Sequence, residues 1–181
     1  MKRISVHEDI ADLLSHPKVL ETRQQIHHHI AKYDHLLRSV RYSRRIAPLL
    51  RADRRVCMRA ALLHDIDSRL GTLASHGGIA ARWAERLGES AEVCNAIVSH
   101  MYPIGPRPSS REAWVLVIAD KAASIGDMRQ FVIGLATGRS LGVRRQLLQL
   151  DPLARQLGPA LRHRPLFRLR RRRATTSGDR A

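Results

Sequence analysis

Aromatic side chains are scarce in this chain: Phe, Tyr and Trp together make up 4% of its 181 residues. A core with so few rings must be built mainly from Leu, Ile, Val and Ala, which suits helices packed on helices. Cysteine is scarce as well. Cys57 and Cys94 sit in apolar helical patterns without disulfide-like spacing, so a disulfide scaffold is excluded and both read as small core hydrophobes in a reducing compartment. Long apolar runs are missing: the longest, residues 113–119, falls far short of the roughly 20 residues a membrane helix needs. The first residues carry charge (Lys2, Arg3, Glu8, Asp9, Asp12) in place of the apolar stretch of a signal peptide. These absences lead to the expectation of a soluble, cytoplasmic protein with no membrane contact. The length fits one domain with a sizeable core and a tail.

Lysine is nearly absent too, at Lys2, Lys18, Lys32 and Lys121, yet the formal net charge is +16. Arginine supplies almost all of it. Eight arginines fall within residues 162–180, against Asp179 as their one acidic neighbour. Such a skew is compatible with a codon-biased genome. It also gives a surface that attracts phosphorylated partners, whether nucleotides or nucleic acid.

Hydrophobic spacing predicts helices nearly throughout and no convincing strand. A short amphipathic helix is expected over residues 4–15, and a second from Pro17 to about Ile30. A long one follows over Tyr33–Leu50, with a buried stripe of Leu36, Val40, Ser43, Ala47 and Leu50. Helices over Arg55–His64, His76–Leu87 and from Ser90 onward come next. Prolines 103, 106 and 108 interrupt the pattern, and Ser109 with Glu112 reads as a capping box for another helix. On that helix Ala113, Leu116, Val117, Asp120 and Ser124 share a face. A further helix is expected over Asp127–Leu150, with a last short one after Asp151-Pro152.

One stretch stands apart. The apolar helical run Ala60-Ala61-Leu62-Leu63 ends in His64-Asp65, two adjacent side chains that both ligate metal ions. His64 shares the inward face of Cys57, Ala60 and Ala61. His35 lies in the first turn of an upstream helix, beside its buried stripe, and His76 and His100 open and close later helical segments. Asp120 is a carboxylate on an apolar stripe, where it needs a cation or donors to offset its burial. Any one of these histidines is compatible with a satisfied core residue. Six such groups in succession on packed helices can converge on a cation. His35, His64, Asp65 and Asp120 would hold one ion with positions left for water and substrate. His76 and His100 could hold a second, with Asp65 bridging the two, an arrangement suited to hydrolysis at phosphorus.

The order His35, His64-Asp65, His76, His100, Asp120 resembles the HD-domain phosphohydrolase superfamily, an all-α fold of divalent-metal hydrolases. Tyr33-Asp34-His35-Leu36-Leu37-Arg38-Ser39-Val40 is similar to its first-ligand helix, Ala61-Leu62-Leu63-His64-Asp65-Ile66 to its signature, and Ile118-Ala119-Asp120-Lys121 to its closing segment. The resemblance implies an HD-domain helical bundle. Residues 27–128 would form the metal-binding domain, 1–26 an N-terminal helical extension, and 129–161 C-terminal helices packed on the same domain. Residues 162–181 read as a basic, solvated or disordered tail. The resemblance also implies that His35, His64, Asp65 and Asp120 are the core ligands, with His76 and His100 serving a second metal or the phosphate. Subfamily markers are absent. Met101 follows His100 where the cyclic-dinucleotide phosphodiesterases have a second His, and Ser68 stands where small HD nucleotidases place a catalytic Glu. The five-His pattern most resembles HD-type diadenosine tetraphosphate hydrolases, although Asp67 and Ser68 replace the usual Ala-Lys.

The reading is therefore a divalent-metal phosphohydrolase (Mn²⁺, Fe²⁺, Co²⁺, Zn²⁺ or Mg²⁺, one or two ions) acting on a phosphate ester or anhydride of a nucleotide-like substrate. Asp65 and Asp67 are the catalytic candidates, with Asp67 as general base or loop cap. Lys121, Arg38 and Arg69 are candidate phosphate contacts. His27-His28-His29 is expected to spread around a helix, mostly exposed, with adventitious metal binding at most. Two alternatives stand beside this reading: a nucleic-acid-associated protein anchored by its Arg-rich tail, and a metal-binding scaffold without catalysis.

Overall fold

The computed structural model describes residues 8–27, 30–138, 142, 145–146 and 149–150. The expected basic tail and the helix after Asp151-Pro152 lie outside these residues, as do His28 and His29. Among the described residues, seven α-helices run in the order α1 (Ala11–Leu14), α2 (Pro17–Glu21), α3 (Lys32–Ile46), α4 (Arg54–Leu63), α5 (His76–Arg86), α6 (Ala91–Val98) and α7 (Arg111–Ala136). The all-α expectation holds, with one addition: strands β1 (Ile26–His27) and β2 (Ile30–Ala31) form an antiparallel hairpin pairing Ile26 with Ala31 and His27 with Ile30. The helix expected from Pro17 to Ile30 is thus a short helix, a 3-10 turn over Thr22–Gln24, and this hairpin.

The bundle is built on α3, which packs against α4 and α7, while α6 closes on α4 and α7 and α5 lies along α6. The core is almost wholly aliphatic, as the shortage of rings requires: Leu36, Val40, Met58, Leu62, Leu63, Ile66, Ile97 and Leu116 are all but inaccessible. Of the stripe expected on α3, Leu36, Val40, Ser43 and Ala47 are buried, whereas Leu50 sits on an exposed 3-10 turn.

Helix ends fix where the polar groups emerge. Asp53 caps α4 by accepting from the Val56 N–H at 2.9 Å, and the helix stops one residue before His64. Asp67 adopts a left-handed conformation (φ 53°) that turns the chain into a 3-10 segment over Ser68–Leu70. Ser90 caps α6, as expected. The cap of α7 is Ser110, which accepts from the Ala113 N–H at 3.1 Å, one residue later than the expected Ser109. α7 does not break before Asp127. It runs unbroken to Ala136, with Ala113, Leu116, Asp120, Ala123 and Asp127 buried at three- and four-residue steps along one face. Among the described residues, no helix is long and apolar enough to cross a membrane.

Candidate metal centre

Four helices and one loop deliver the six expected groups to one buried place. His35 comes from the first turn of α3, His64 and Asp65 from the end of α4, His76 from the start of α5, His100 from just beyond α6, and Asp120 from the middle of α7. All six side chains are buried. His35 Nε2 lies 3.1 Å from Asp120 Oδ1 and 3.3 Å from His64 Nε2, and His64 Nε2 lies 3.5 Å from the same oxygen. On the other side, His76 Nε2 lies 2.9 Å from His100 Nε2 and 3.4 Å from Asp65 Oδ1. Ligands bonded at about 2.0–2.1 Å to a single ion sit roughly 2.9–3.4 Å apart in octahedral or tetrahedral geometry. The measured spacings fall in or near that range.

The protonation pattern is set by what each ring's other nitrogen touches. Nδ1 of His64 faces the Ala61 carbonyl at 2.9 Å, Nδ1 of His76 the Thr72 carbonyl at 2.9 Å, and Nδ1 of His100 the Ile97 carbonyl at 2.7 Å. Nδ1 of His35 faces the Asp127 carboxylate at 2.6 Å. A carbonyl or carboxylate oxygen can only accept, so each Nδ1 carries the hydrogen and each neutral ring turns a lone pair on Nε2 into the site. Lone pairs in contact repel. The His35–His64 and His76–His100 pairs therefore each require a proton or a cation. Asp65 Oδ2 adds to this, being buried with no hydrogen-bond partner. An orphaned carboxylate oxygen among inward-aimed imidazole nitrogens is a donor set that could hold a divalent ion. Three groups of donors have their atoms within 4.8 Å of one another: His35, His64 and Asp120; His64, Asp65 and His100; and His27, His35 and Asp65; His76 joins the cluster through His100 and Asp65.

The electrostatics agree. Burial alone would lower the His35 pKa, but hydrogen bonds to Asp120 and Asp127 outweigh it and raise the ring to about 9. For Asp120, the imidazoles of His35 and His64 overcome desolvation and hold the carboxyl well below the usual range. Asp65 is likewise held low against its burial by His76, His64, His27 and Lys32. His76 is raised, chiefly by its hydrogen bond to Asp65. His100 is pushed down to about 4 by burial and by the neighbouring His64. The site favours ionised carboxylates at Asp65 and Asp120, the charged form of the rings at His35 and His76, and a neutral ring at His100.

Close packing of α5 on α6 depends on Gly77. A Cβ there would stand 2.8 Å from the Val98 carbonyl oxygen and 3.3 Å from His100 Nδ1. The glycine lets His76 reach His100.

Three participants lie outside the six expected. Asp127 is fully buried on α7, two turns beyond Asp120, and binds His35 on one side and the Arg38 guanidinium on the other. Its spacing from Asp120 on one helical face was the available signal. Lys32 is buried in the first turn of α3 and donates through Nζ to the Asp65 carbonyl at 3.1 Å and to Ser68 Oγ at 2.8 Å, pinning the signature loop. His27 is half-buried on β1, with Nδ1 3.2 Å from Asp65 Oδ2, and so does not lie on an exposed helix face as expected. Its signal was non-local: strand pairing brings it in.

The remaining sequence candidates have other engagements. Arg38 binds Asp127 and Gln130. Lys121, beside Asp120, donates to the Tyr102 carbonyl at 2.7 Å and ties the proline-rich loop to α7. Arg69 is half-buried in the 3-10 segment after Asp67. Asp67 pairs with Lys18, both of its oxygens lying 3.3 Å from Nζ, and does not join the histidine cluster. Asp67 and Arg38 therefore stand behind or beside the donors, where they shape the loop and the ligand helix.

Comparison with known proteins follows the same outline. The model of the HD domain matches residues 33–125, about half of the chain. A ribonuclease Y from Cutibacterium acnes (strain DSM 16379 / KPA171202) is 40% identical over 76 residues, covering 40% of this chain and 14% of the relative. The chain thus spans only a small part of that relative's length. No solved structure matches the chain.

Proposed function

The chain belongs to the HD-domain family of metal-dependent phosphohydrolases, and on that premise we propose that it hydrolyses a phosphate ester or anhydride in a nucleotide-like substrate. The supporting observation is the arrangement of four imidazole Nε2 lone pairs and two carboxylates around one buried centre, with Asp65 Oδ2 lacking a hydrogen-bond partner. In this reading His35, His64, Asp65 and Asp120 hold one divalent ion. His76 and His100 serve a second, with Asp65 shared between them. Divalent ions so bound supply Lewis-acid stabilisation of phosphoryl-oxygen charge and acidify a water.

The protein's own groups do the rest. Carbonyls of Ala61, Thr72 and Ile97 and the Asp127 carboxylate hold the four rings in one tautomer, so the donors need no rearrangement when substrate arrives. Asp65 and Asp120 supply negative charge that selects a divalent cation. Lys121 and Arg69, next to ligand-bearing segments, are assigned to drawing in the anionic substrate, and the chain's strong positive charge aids its approach. Purified protein loaded in turn with Mn²⁺, Fe²⁺, Co²⁺, Zn²⁺ and Mg²⁺ and offered nucleoside mono-, di- and polyphosphates should release phosphate or a nucleotide in at least one combination. Failure of every combination with bound metal retained would favour a non-catalytic scaffold.

A second reading is favoured by the similarity to a ribonuclease Y together with the net charge of +16: an RNA phosphodiester as substrate. Cleavage of a single-stranded RNA oligonucleotide with steep salt dependence, and none of mononucleotides, would select it.

A further inference from the structure

His27 enters from outside the helical bundle, yet it lies against the carboxylate at the centre. Its Nδ1 is 3.2 Å from Asp65 Oδ2, and its ring centroid is 4.3 Å from that of His35, tilted by 41°. The hairpin that carries it is anchored on both sides. Ile30, opposite His27 in the ladder, is 5% exposed in the core, and the Lys32 N–H donates to the Gln25 carbonyl at 2.8 Å. The Lys32 side chain meanwhile grips the Asp65 carbonyl and Ser68. Hairpin and signature loop are thus joined through one residue, and His27 is held over Asp65 by the fold.

The 3.2 Å approach to Asp65 is not a hydrogen bond, since Oδ2 has no such partner. Asp65 turns Oδ1 toward His76 and His100 and leaves Oδ2 facing His27. A carboxylate oxygen with no hydrogen-bond donor, 3.2 Å from an imidazole nitrogen, is a pair that a proton on the ring or a bound cation would hold together. The donor atoms of His27, His35 and Asp65 lie within 4.8 Å of one another, close enough for one ion to touch all three.

We propose that His27 is a further metal ligand, joining with Asp65 Oδ2 the ion that His35 would hold, on the hairpin side of the centre. The inference rests on the reading of this centre as a metal site and extends it: the β1–β2 hairpin is part of the coordination cage. An ion there gains a fifth imidazole for the centre as a whole and gives Asp65 Oδ2 its partner.

Co²⁺ titration of the full chain tests this, read by its visible ligand-field spectrum and by X-ray absorption at the cobalt edge. His27→Ala should weaken Co²⁺ binding by about tenfold or more, as loss of a metal-site partner commonly does, and should lower the number of imidazoles per cobalt. Free imidazole added to His27→Ala should restore the wild-type spectrum, which a merely structural histidine would not allow. His27→Gln, which keeps a polar side chain in the hairpin, should show the same loss and serves should the alanine variant misfold. A wild-type chain that binds no Co²⁺ defeats the reading of the whole centre, and this inference with it. A wild type that binds Co²⁺ alongside variants with unchanged affinity and spectrum overturns the role of His27 alone.

Discussion

Asp127 Oδ2 lies 2.6 Å from His35 Nδ1, and neither side chain is accessible to solvent. This pair links the seventh helix to the third, and the Arg38 guanidinium on the far side of Asp127 keeps the carboxylate in place. The consequence for His35 is a fixed tautomer, with Nε2 aimed at Asp120 and His64. Asp127→Ala should therefore weaken binding of the divalent ion by about 10–100-fold. Asp127→Asn, whose side-chain oxygen still accepts from Nδ1, should recover part of the loss. Isothermal titration of metal into each variant checks the order.

Metal-free protein should lose stability as pH rises from about 6.5 to about 9. His35 has its pKa raised to about 9 in the folded chain by Asp120 and Asp127 working against burial, so the folded state binds that proton more tightly than the unfolded state. The stabilisation is fully present below the unfolded value near 6.5 and is gone above the folded one. His76, raised chiefly by Asp65, acts in the same direction. His100, held at about 4, has the opposite sign and acts only below about 6.5. Thermal denaturation in chelator at pH 6 and pH 9.5 should show the lower midpoint at the higher pH. With saturating metal the trend should weaken or reverse, because the ion competes with those protons.

Gly77→Ala should separate the two halves of the centre. The added Cβ would press on the Val98 carbonyl oxygen at 2.8 Å, and backbone cannot swing aside as a flexible side chain can. α5 must then move off α6, taking His76 away from His100. The expected result is loss of the weaker of two bound metals, or a drop in total content, with folded helicity retained. Elemental analysis of the purified variant measures it. Gly78→Ala is the control, since its Cβ would meet only the end of Arg82 at 3.7 Å.

The two thiols should differ in reactivity. Burial, assisted by the charges of Glu112 and Asp53, pushes Cys57 up to about 12, and the residue is fully enclosed between α4 and α7. Cys94 is half-buried, and burial raises it too. A thiol reagent at pH 8 should leave Cys57 unmodified in the native protein and label it only after denaturation. Mass spectrometry of the labelled peptides distinguishes the two.

The convergence of these groups was legible because helical spacing could place them: His35 beside a buried stripe, His64 on the apolar face of α4, Asp120 on that of α7. Two neighbours of the centre were not. His27 was hidden because its segment carries helix-like spacing but folds as a hairpin, and strand pairing is decided by contacts distant in sequence. Asp127 was hidden by Gly126, which suggests a break between helices. In the fold that glycine lies against Arg38, where a Cβ would meet Cδ at 2.9 Å, and the helix passes through it undisturbed. Arg38, one of the two arginines expected to contact substrate phosphate, is the one that glycine admits, and it engages Asp127. Local spacing shows which groups face inward. Which of them meet is set by the packing of α3, α4, α6 and α7.

Metal content of the folded chain, compared with that of Asp65→Ala, bears most directly on the convergence of these six groups at a cationic centre. Wild-type protein dialysed against Mn²⁺ or Co²⁺ and then freed of loose ions should retain one or two equivalents. Asp65→Ala, with Oδ1 and Oδ2 both removed, should retain none and hydrolyse no phosphate substrate. Equal retention by the two proteins, or none by a well-folded wild type, would contradict the account.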